Sequence, residues 1–378
     1  MRKIRVLHIV QDDKFVDGPL NAFESDGRFE NRVFLVVDSL DYKIKKIKDA
    51  SRVMLINNKR MLKTLLNNSD YDAIFFYSLP NYKVFNYIPK DKIVVWWAWG
   101  YDIYGPDRFI NIPLLKPKTQ EIYKLAKNTC SHRIKEKLKK IPLMYRLRYG
   151  NKYKAIRRVD YFQPVIRTEY ELMQGIPGFK AKEFYYPKCM DWAASLPTYS
   201  TNHQGNILVG NSASHTNNHV DVWEAIRLCI PSSSNVIFPI NYGDEEYAEY
   251  LTKNIKSESS NICFLTDYLP KEEYFRLVDS CDYAVMGVLR QQAMGNIYRC
   301  MAMGIKLFLY RDSVVYKYLK NLGSVVFAIE DINEESFKTP LSREEALINK
   351  KCMDSYADFV KNVRESAIQE IYNLVNNY

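Results

Sequence analysis

Residues 206–226, NILVGNSASHTNNHVDVWEAI, combine the residue types and spacing that hold an anion: a short apolar run, a Gly-Asn-Ser turn, then the start of a predicted helix. Gly210 permits a tight turn, Asn211 to Ser214 offer N–H groups and small hydroxyls, and Asn217 or Asn218 can cap the helix, whose amino end favours negative charge. The same residues would also serve an ordinary strand-to-helix turn. A second polar turn opens RQQAMGNIYRCMAMG, residues 290–304, which reads as Arg290, Gln291, Gln292, Gly295 and Asn296 leading a helix that ends at Gly304. Ligands of open parallel sheets lie beyond the carboxyl ends of the strands, so both turns would face one crevice and hold a diphosphate. Arg290 supplies the cation there, or else pairs with a surface carboxylate. Tyr242, in FPINYGD, follows another strand of this half and could touch a nucleotide.

Chemistry that ends on a hydroxyl would also need a group to take its proton. Asp102, in WWAWGYDIYG (residues 96–105), is the first candidate, with Trp99 and Tyr101 beside it to hold a sugar; equally, it could cap a following helix. Asp13 is a weaker candidate, as are Asp12 and His8. His215 and His219 flank the Asn pair and fit either a phosphate or ribose contact or plain packing. Metal-assisted sugar transfer commonly places Asp-x-Asp at a strand end. Here the match is Asp70-Tyr71-Asp72, which precedes a strand, so no metal and no other cofactor is expected. The leaving diphosphate would then rest on N–H groups, helix dipoles and Arg290.

The elements that must position these residues alternate. Apolar runs at 4–10, 32–37, 51–56, 72–77, 92–97 and 159–165 read as strands of a first half, and those at 206–210, 235–240, 261–265, 282–288 and 305–310 as strands of a second, with helical patterns between many of them. Residues 194–205 are polar and aperiodic, as in a linker. The expected organisation is a first domain over 1–193, a linker over 194–205, a second domain over 206–342 and a helical tail over 343–378.

The order GNS with NNH, FPINYGD, LPKEEYFRLVDSCDYAV and RQQAMGN, together with WWAWGYDIYG, resembles the bacterial 4-acetamido-4,6-dideoxygalactose transferases, the TDP-N-acetylfucosamine:lipid II N-acetylfucosaminyltransferases of enterobacterial common antigen assembly. The resemblance covers residues 90–330. It implies an α/β chain of two Rossmann-like domains facing a cleft, the glycosyltransferase B-type fold, with the terminal helix crossing back to the first domain. It further implies a TDP- or UDP-sugar donor and a polyprenyl-diphosphate-linked glycan acceptor in surface polysaccharide synthesis, and its motif carries an Asp at the place of Asp102. Another B-type enzyme, fucosyl or mannosyl, or a sugar-nucleotide-binding scaffold without turnover, stays open. A dinucleotide-dependent oxidoreductase is disfavoured, because no G-x-G-x-x-G follows any predicted strand.

Charge is concentrated in one place. Residues 116–158 hold 15 Lys and Arg against two acids, a net +13 in a chain whose total is +10, so the remainder is near −3. Ile134, Leu138, Ile141, Met144 and Tyr145 recur at mainly helical spacing among these charges, with Pro142 interrupting them. This suits a basic amphipathic surface on anionic lipid; a solvated helix or nucleic acid are the rivals, and no nucleic-acid motif is present. The 7 Cys are scattered without Cys-x-x-Cys or Cys/His clusters, which fits reduced thiols. No apolar run nears the ~20 residues that span a bilayer, so the expected location is cytoplasmic, peripheral on the inner face of the bacterial inner membrane. The 29 Tyr and 5 Trp suit core packing or sugar-lined surfaces alike.

Overall fold

A computed structural model describes residues 2–13, 15–68, 70–79, 81–105, 108–126, 152–184, 205–255 and 261–376. The chain divides into two compact units, one comprising Met1–Asn111, Lys135–Ala194 and Asp358–Tyr378, the other Ile112–Ile134 and Ser195–Ala357.

The first unit is built on a seven-stranded sheet: β1 (Ile4–Val10), β2 (Phe29–Val36), β3 (Val53–Ile56), β4 (Ala73–Tyr77), β5 (Ile93–Trp97), β6 (Tyr161–Gln163) and β7 (Lys182–Glu183). Its order is β3-β2-β1-β4-β5-β6-β7, and every pairing is parallel. β4 and β5, AIFFY and IVVWW, are buried along their whole length, as continuous apolar runs must be when a parallel sheet is covered on both faces. Helices α1 (Asp17–Glu24) and α2 (Lys59–Asn67) lie in the crossovers. The core on one side gathers Val10, Leu20, Phe23, Phe75, Tyr77, Val95 and Trp97. The first half of the chain also holds α3 (Pro117–Ala126), α4 (Arg167–Gln174) and a single helical turn at Lys152–Ala155.

The second unit holds six parallel strands: β8 (Asn206–Val209), β9 (Val236–Pro239), β10 (Ile262–Leu265), β11 (Cys281–Met286), β12 (Lys306–Leu309) and β13 (Phe327–Ala328), in the order β10-β9-β8-β11-β12-β13. Between them run α5 (His219–Ile226), α6 (Glu245–Ile255), α7 (Lys271–Asp279), α8 (Met294–Ala302) and α9 (Val314–Asn321).

In each sheet the strand order reverses once. The chain winds outward through β1, β2, β3 and returns to β4 beside β1; later it winds through β8, β9, β10 and returns to β11 beside β8. Two adjacent strands whose crossovers leave in opposite directions open a crevice at their carboxyl ends, where open α/β sheets bind ligands.

One boundary differs from the sequence reading. Residues 112–126 cluster with the second unit, not with the first domain expected over 1–193. The reason is local: Asp221 of α5 accepts from the Lys118 and Thr119 N–H groups at 3.0 and 2.8 Å, capping the start of α3. Asn218 Oδ1 accepts from Lys116 N at 2.7 Å, and Lys116 and Lys118 pair with Asp312 and Glu224.

Helix α10 (Arg343–Asn376) contributes to both units. In the second, Asn349 exchanges two hydrogen bonds with the Val325 backbone, at 2.8 and 2.9 Å. In the first, Ala367 and Ile371 join the core and Arg28 reaches Gln369 and lies over the Tyr372 ring. Residues 127–151, including Lys135, Lys137, Lys139 and Lys140 of the basic stretch, and 185–204, which hold the expected linker, lie outside the described residues.

Candidate active site

At the switch point of the second sheet, β8 ends in Gly210, whose φ of 69° is the left-handed conformation glycine adopts without strain. A Cβ there would sit 2.5 Å from His219 Nε2, so the turn closes directly on the ring of the first residue of α5. Gly210→Ala is accordingly expected to lower stability by about 2–4 kcal/mol, strain and clash together; a thermal melt checks it.

Of the N–H groups expected from Asn211 to Ser214, Ala213 N donates to Tyr242 O at 2.8 Å and Ser214 N to Ser212 O at 2.7 Å. Among the described residues those of Asn211 and Ser212 make no hydrogen bond, which narrows the donors to this pair. Tyr242, exposed at 59%, accepts from Asn211 Nδ2 at 2.8 Å and brings the loop after β9 against the turn. Gly243, with φ 126°, allows that approach: a Cβ would lie 2.6 Å from Ala213 O.

The loop after β11 joins from the other side. Ser214 Oγ and Thr216 Oγ1 lie 2.8 Å apart, and Thr216 donates to Gln292 Oε1 at 2.6 Å, tying the two polar turns together. Arg290 Nη1 donates to Gln291 O at 2.7 Å and is partly exposed. Ala293, at φ 58°, precedes α8, which starts at Met294, so residues 290–293 form the turn and Gly295 and Asn296, expected in the turn, lie in the first turn of the helix. The amino end of α8 presents Gly295, whose Cβ position is open space, and Asn296, which donates to Tyr274 Oη at 2.6 Å.

Asn217 and Asn218 take a different part from the one expected. Asn218 does begin α5, but in the left-handed conformation and with no side-chain cap; its amide instead bonds Gly287 O at 2.6 Å. It is fully buried, and both ends of its amide are taken by the protein, Oδ1 accepting from Lys116 N as well. Asn217 Nδ2 donates to Ser212 O at 2.8 Å, buttressing the turn from behind. Gly287, for which the sequence suggested no role, permits this crossing, since a Cβ would meet Asn217 O at 2.2 Å.

Around these turns, among the described residues, four keep buried polar atoms without a protein partner: Asn211 Oδ1, Asn217 Oδ1, Gln291 Oε1 and both ring nitrogens of His219. Buried polar atoms are rarely left unpaired, and their gathering at one sheet edge marks a place where a polar ligand or water completes them. Burial, with the neighbouring His215 second, lowers the His219 pKa to about 3, so the ring is neutral. His215 stacks on Tyr247 with centroids 4.0 Å apart and Nδ1 3.8 Å from Asp244 Oδ2, a packing role.

At the switch point of the first sheet the expected base is displaced. Asp102 is fully buried, and its carboxylate accepts from Leu79 N, Trp96 Nε1 and Trp99 N, each at 2.9 Å. Burial raises its carboxyl above the usual range while those three bonds oppose the shift. With its lone pairs committed and no exposed surface it cannot reach an acceptor hydroxyl; it fixes the loops after β4 and β5. Asp13, after β1, is partly accessible: its side chain is 26% exposed, Oδ1 accepts from Phe15 N at 3.2 Å and Oδ2 lies 3.8 Å from Lys46 Nζ.

Asp12 and His8 are both committed to structural bonds. Asp12 accepts from Tyr42 Oη and the N–H groups of Lys45, Lys46 and Ile47, which hold its carboxyl below the usual range against the opposing effect of partial burial. His8 lies buried between Asn31 and Tyr77, with burial lowering its pKa to about 4. Asp70 and Asp72 sit at the amino end of β4, tied to Arg5 and Arg2, on the edge away from the crevice.

Tyr101, 42% exposed, accepts a hydrogen bond from the Ser78 hydroxyl. Ser78, directly after β4, holds φ at 69°, a strained value for a residue with a side chain, kept in place by Ser78 N donating to Trp97 O at 2.8 Å. The sequence carries no signal for Ser78, because only the fold brings it to Tyr101.

The family model described as 4-alpha-L-fucosyltransferase glycosyl transferase group 56 matches residues 138–368, more than half of the chain. The chain belongs to this family. Solved structures similar to this group 56 member include the E. coli trehalose-6-phosphate protein bound with UDP-2-fluoro glucose, with a TM-score of 0.61, 10% identity and coverage of 98% of this chain and 99% of that one. Anabaena HepE in complex with UDP and glucose follows at TM-score 0.57 and 12% identity, covering 98% and 100%. The N-terminal domain of Candida albicans trehalose-6-phosphate phosphatase matches at 0.60 and 9%, covering 98% and 96%. At such identity these similarities establish the fold, the glycosyltransferase B type. The group 56 chain is a glycosyltransferase of that fold.

Proposed function

We propose that this glycosyltransferase moves a 6-deoxy sugar, a fucose-type or 4-acetamido-4,6-dideoxygalactose residue, from a nucleotide diphosphate to a polyprenyl-diphosphate-linked saccharide in surface polysaccharide synthesis. The observation that carries the reading is the set of unpaired buried polar atoms of Asn211, Gln291 and His219 beside the joined turns after β8 and β11. Their hydrogen-bonding capacity matches the hydroxyls and amide edges of a nucleotide sugar, while Asn211 N, Ser212 N, the amino end of α8 and Arg290 suit its diphosphate. The UDP ligands of similar structures and the fucosyltransferase description of the family agree with this.

In the first unit Asp13 takes the proton of the acceptor hydroxyl, and Trp99 and Tyr101 hold the acceptor glycan. Asp102 orders the loops that carry them. The diphosphate leaves onto N–H groups and Arg290, so bond cleavage at the sugar and negative charge on the leaving group are stabilised without a proton donor.

Among the described residues no helix is long and apolar enough to cross a membrane. Lys116, Lys118, Lys152 and Arg158 are engaged within the protein, so attachment to an anionic membrane on its cytoplasmic face would use the charges of 127–151 together with the exposed Lys124, Lys154 and Arg157. One reconstitution tests the whole reading: the full chain, phosphatidylglycerol vesicles bearing a polyprenyl-diphosphate-linked saccharide, and a panel of UDP- and TDP-sugars. The expected result is consumption of one donor, addition of one sugar to the lipid-linked glycan, and a rate that falls as salt rises. Nucleotide binding without turnover of any donor would instead favour a scaffold.

A further inference from the structure

The carboxyl edge of the first sheet carries more apolar surface than the loops there need. Phe15, in the loop after β1, is 43% exposed, with its ring edge-on to Trp99 at a centroid distance of 6.5 Å. Trp99 is in turn edge-on to Trp97 of β5 at 5.4 Å, which anchors it to the core. Tyr101, 42% exposed, is pinned by Ser78. Two polar groups belong to the same patch: the partly exposed Asp13, whose charge is felt by the Tyr101 phenol, and Trp99 Nε1, a buried indole N–H with no hydrogen-bond partner among the described residues.

We propose that Phe15, Trp99 and Tyr101 form an aromatic platform that seats one pyranose ring of the acceptor, with Asp13 and the Trp99 indole N–H bonding its hydroxyls. A pyranose has an apolar C–H face and a polar rim, which is the pairing this patch offers; a lipid chain would leave the carboxylate and the indole unmatched. The rings are fixed by Trp97 and by the Ser78 bond, so little conformational freedom is lost on binding. Phe15 thereby becomes a specificity residue, selecting acceptors by the face they present. The inference rests on the proposed assignment of the acceptor to the first unit.

Saturation-transfer NMR on the full chain with a panel of methyl pyranosides tests it. In the wild type, saturation should concentrate on the C–H protons of one ring face of at least one sugar. Phe15→Ala and Trp99→Ala should each lower affinity for that sugar about fivefold, the scale of one lost aromatic contact, whereas Phe15→Tyr should retain it. Melting temperatures identify any variant that has lost its fold, and the exposed Phe15 is the safer of the two positions. Equal signals in the wild type and in Phe15→Ala, or no signal in the wild type, would overturn the platform. UDP and TDP titrated into the same samples read the second unit independently: loss of nucleotide binding with sugar binding intact would overturn the donor assignment and leave the platform standing.

Discussion

Asp13→Asn should reduce the rate of sugar transfer by about 10²- to 10⁴-fold, the usual contribution of a positioned base, while leaving the melting temperature nearly unchanged. The amide keeps an oxygen for the Phe15 N–H, and the distant Lys46 pair is exposed enough to matter little. Asp102→Asn should behave in the opposite way. With its amide oxygen kept for the Leu79 N and Trp96 Nε1 donors, its new N–H₂ would face the Trp99 N–H, costing about 1–3 kcal/mol of stability in the first unit. Activity would fall because the loops loosen, and lowering the temperature should restore part of it. Measuring kcat and the melting temperature for both variants separates the roles. If Asp102→Asn were stable and inactive while Asp13→Asn stayed active, the assignment of base and positioning residue would be reversed.

Arg290→Ala should weaken nucleotide-diphosphate binding by about 1.5–3 kcal/mol, which is about 10- to 150-fold in affinity, the value of one charge-assisted hydrogen bond. Its backbone neighbours should hold the turn meanwhile, because Gln292 remains bonded to Thr216. Calorimetry with UDP and TDP reads the effect directly, and unchanged affinity for both nucleotides would remove Arg290 from the site.

The sheet-forming runs were legible because parallel strands buried on both faces leave uninterrupted apolar stretches, as in AIFFY and IVVWW. The edge strands β7 and β13 were not, being two residues each with no pattern to show. The turn at Gly210 was readable because a glycine stands out beside a strand end, and its φ of 69° is the left-handed value such a turn needs. The burial of Asp102 and the exposure of Asp13 were not. Which carboxylate is buried depends on Leu79, Trp96 and Trp99 converging from three chain positions, and no local spacing encodes that. The same limit explains Asn218: an Asn before a helix suggests a cap, but its partners, Gly287 O and Lys116 N, come from remote segments. The position of residues 112–126 follows from those contacts as well, and so could not be read from the basic charge of the stretch.

Hydrogen exchange with and without UDP or TDP, followed by mass spectrometry, tests most directly whether the crevice of the second sheet holds the donor. Nucleotide should slow exchange in peptides covering 210–218 and 290–296, where the Asn211 and Ser212 amides and the amino end of α8 lie, and leave peptides around Asp70-Tyr71-Asp72 unchanged. Protection confined to 70–72, or absent from both turns under saturating nucleotide, would contradict the account.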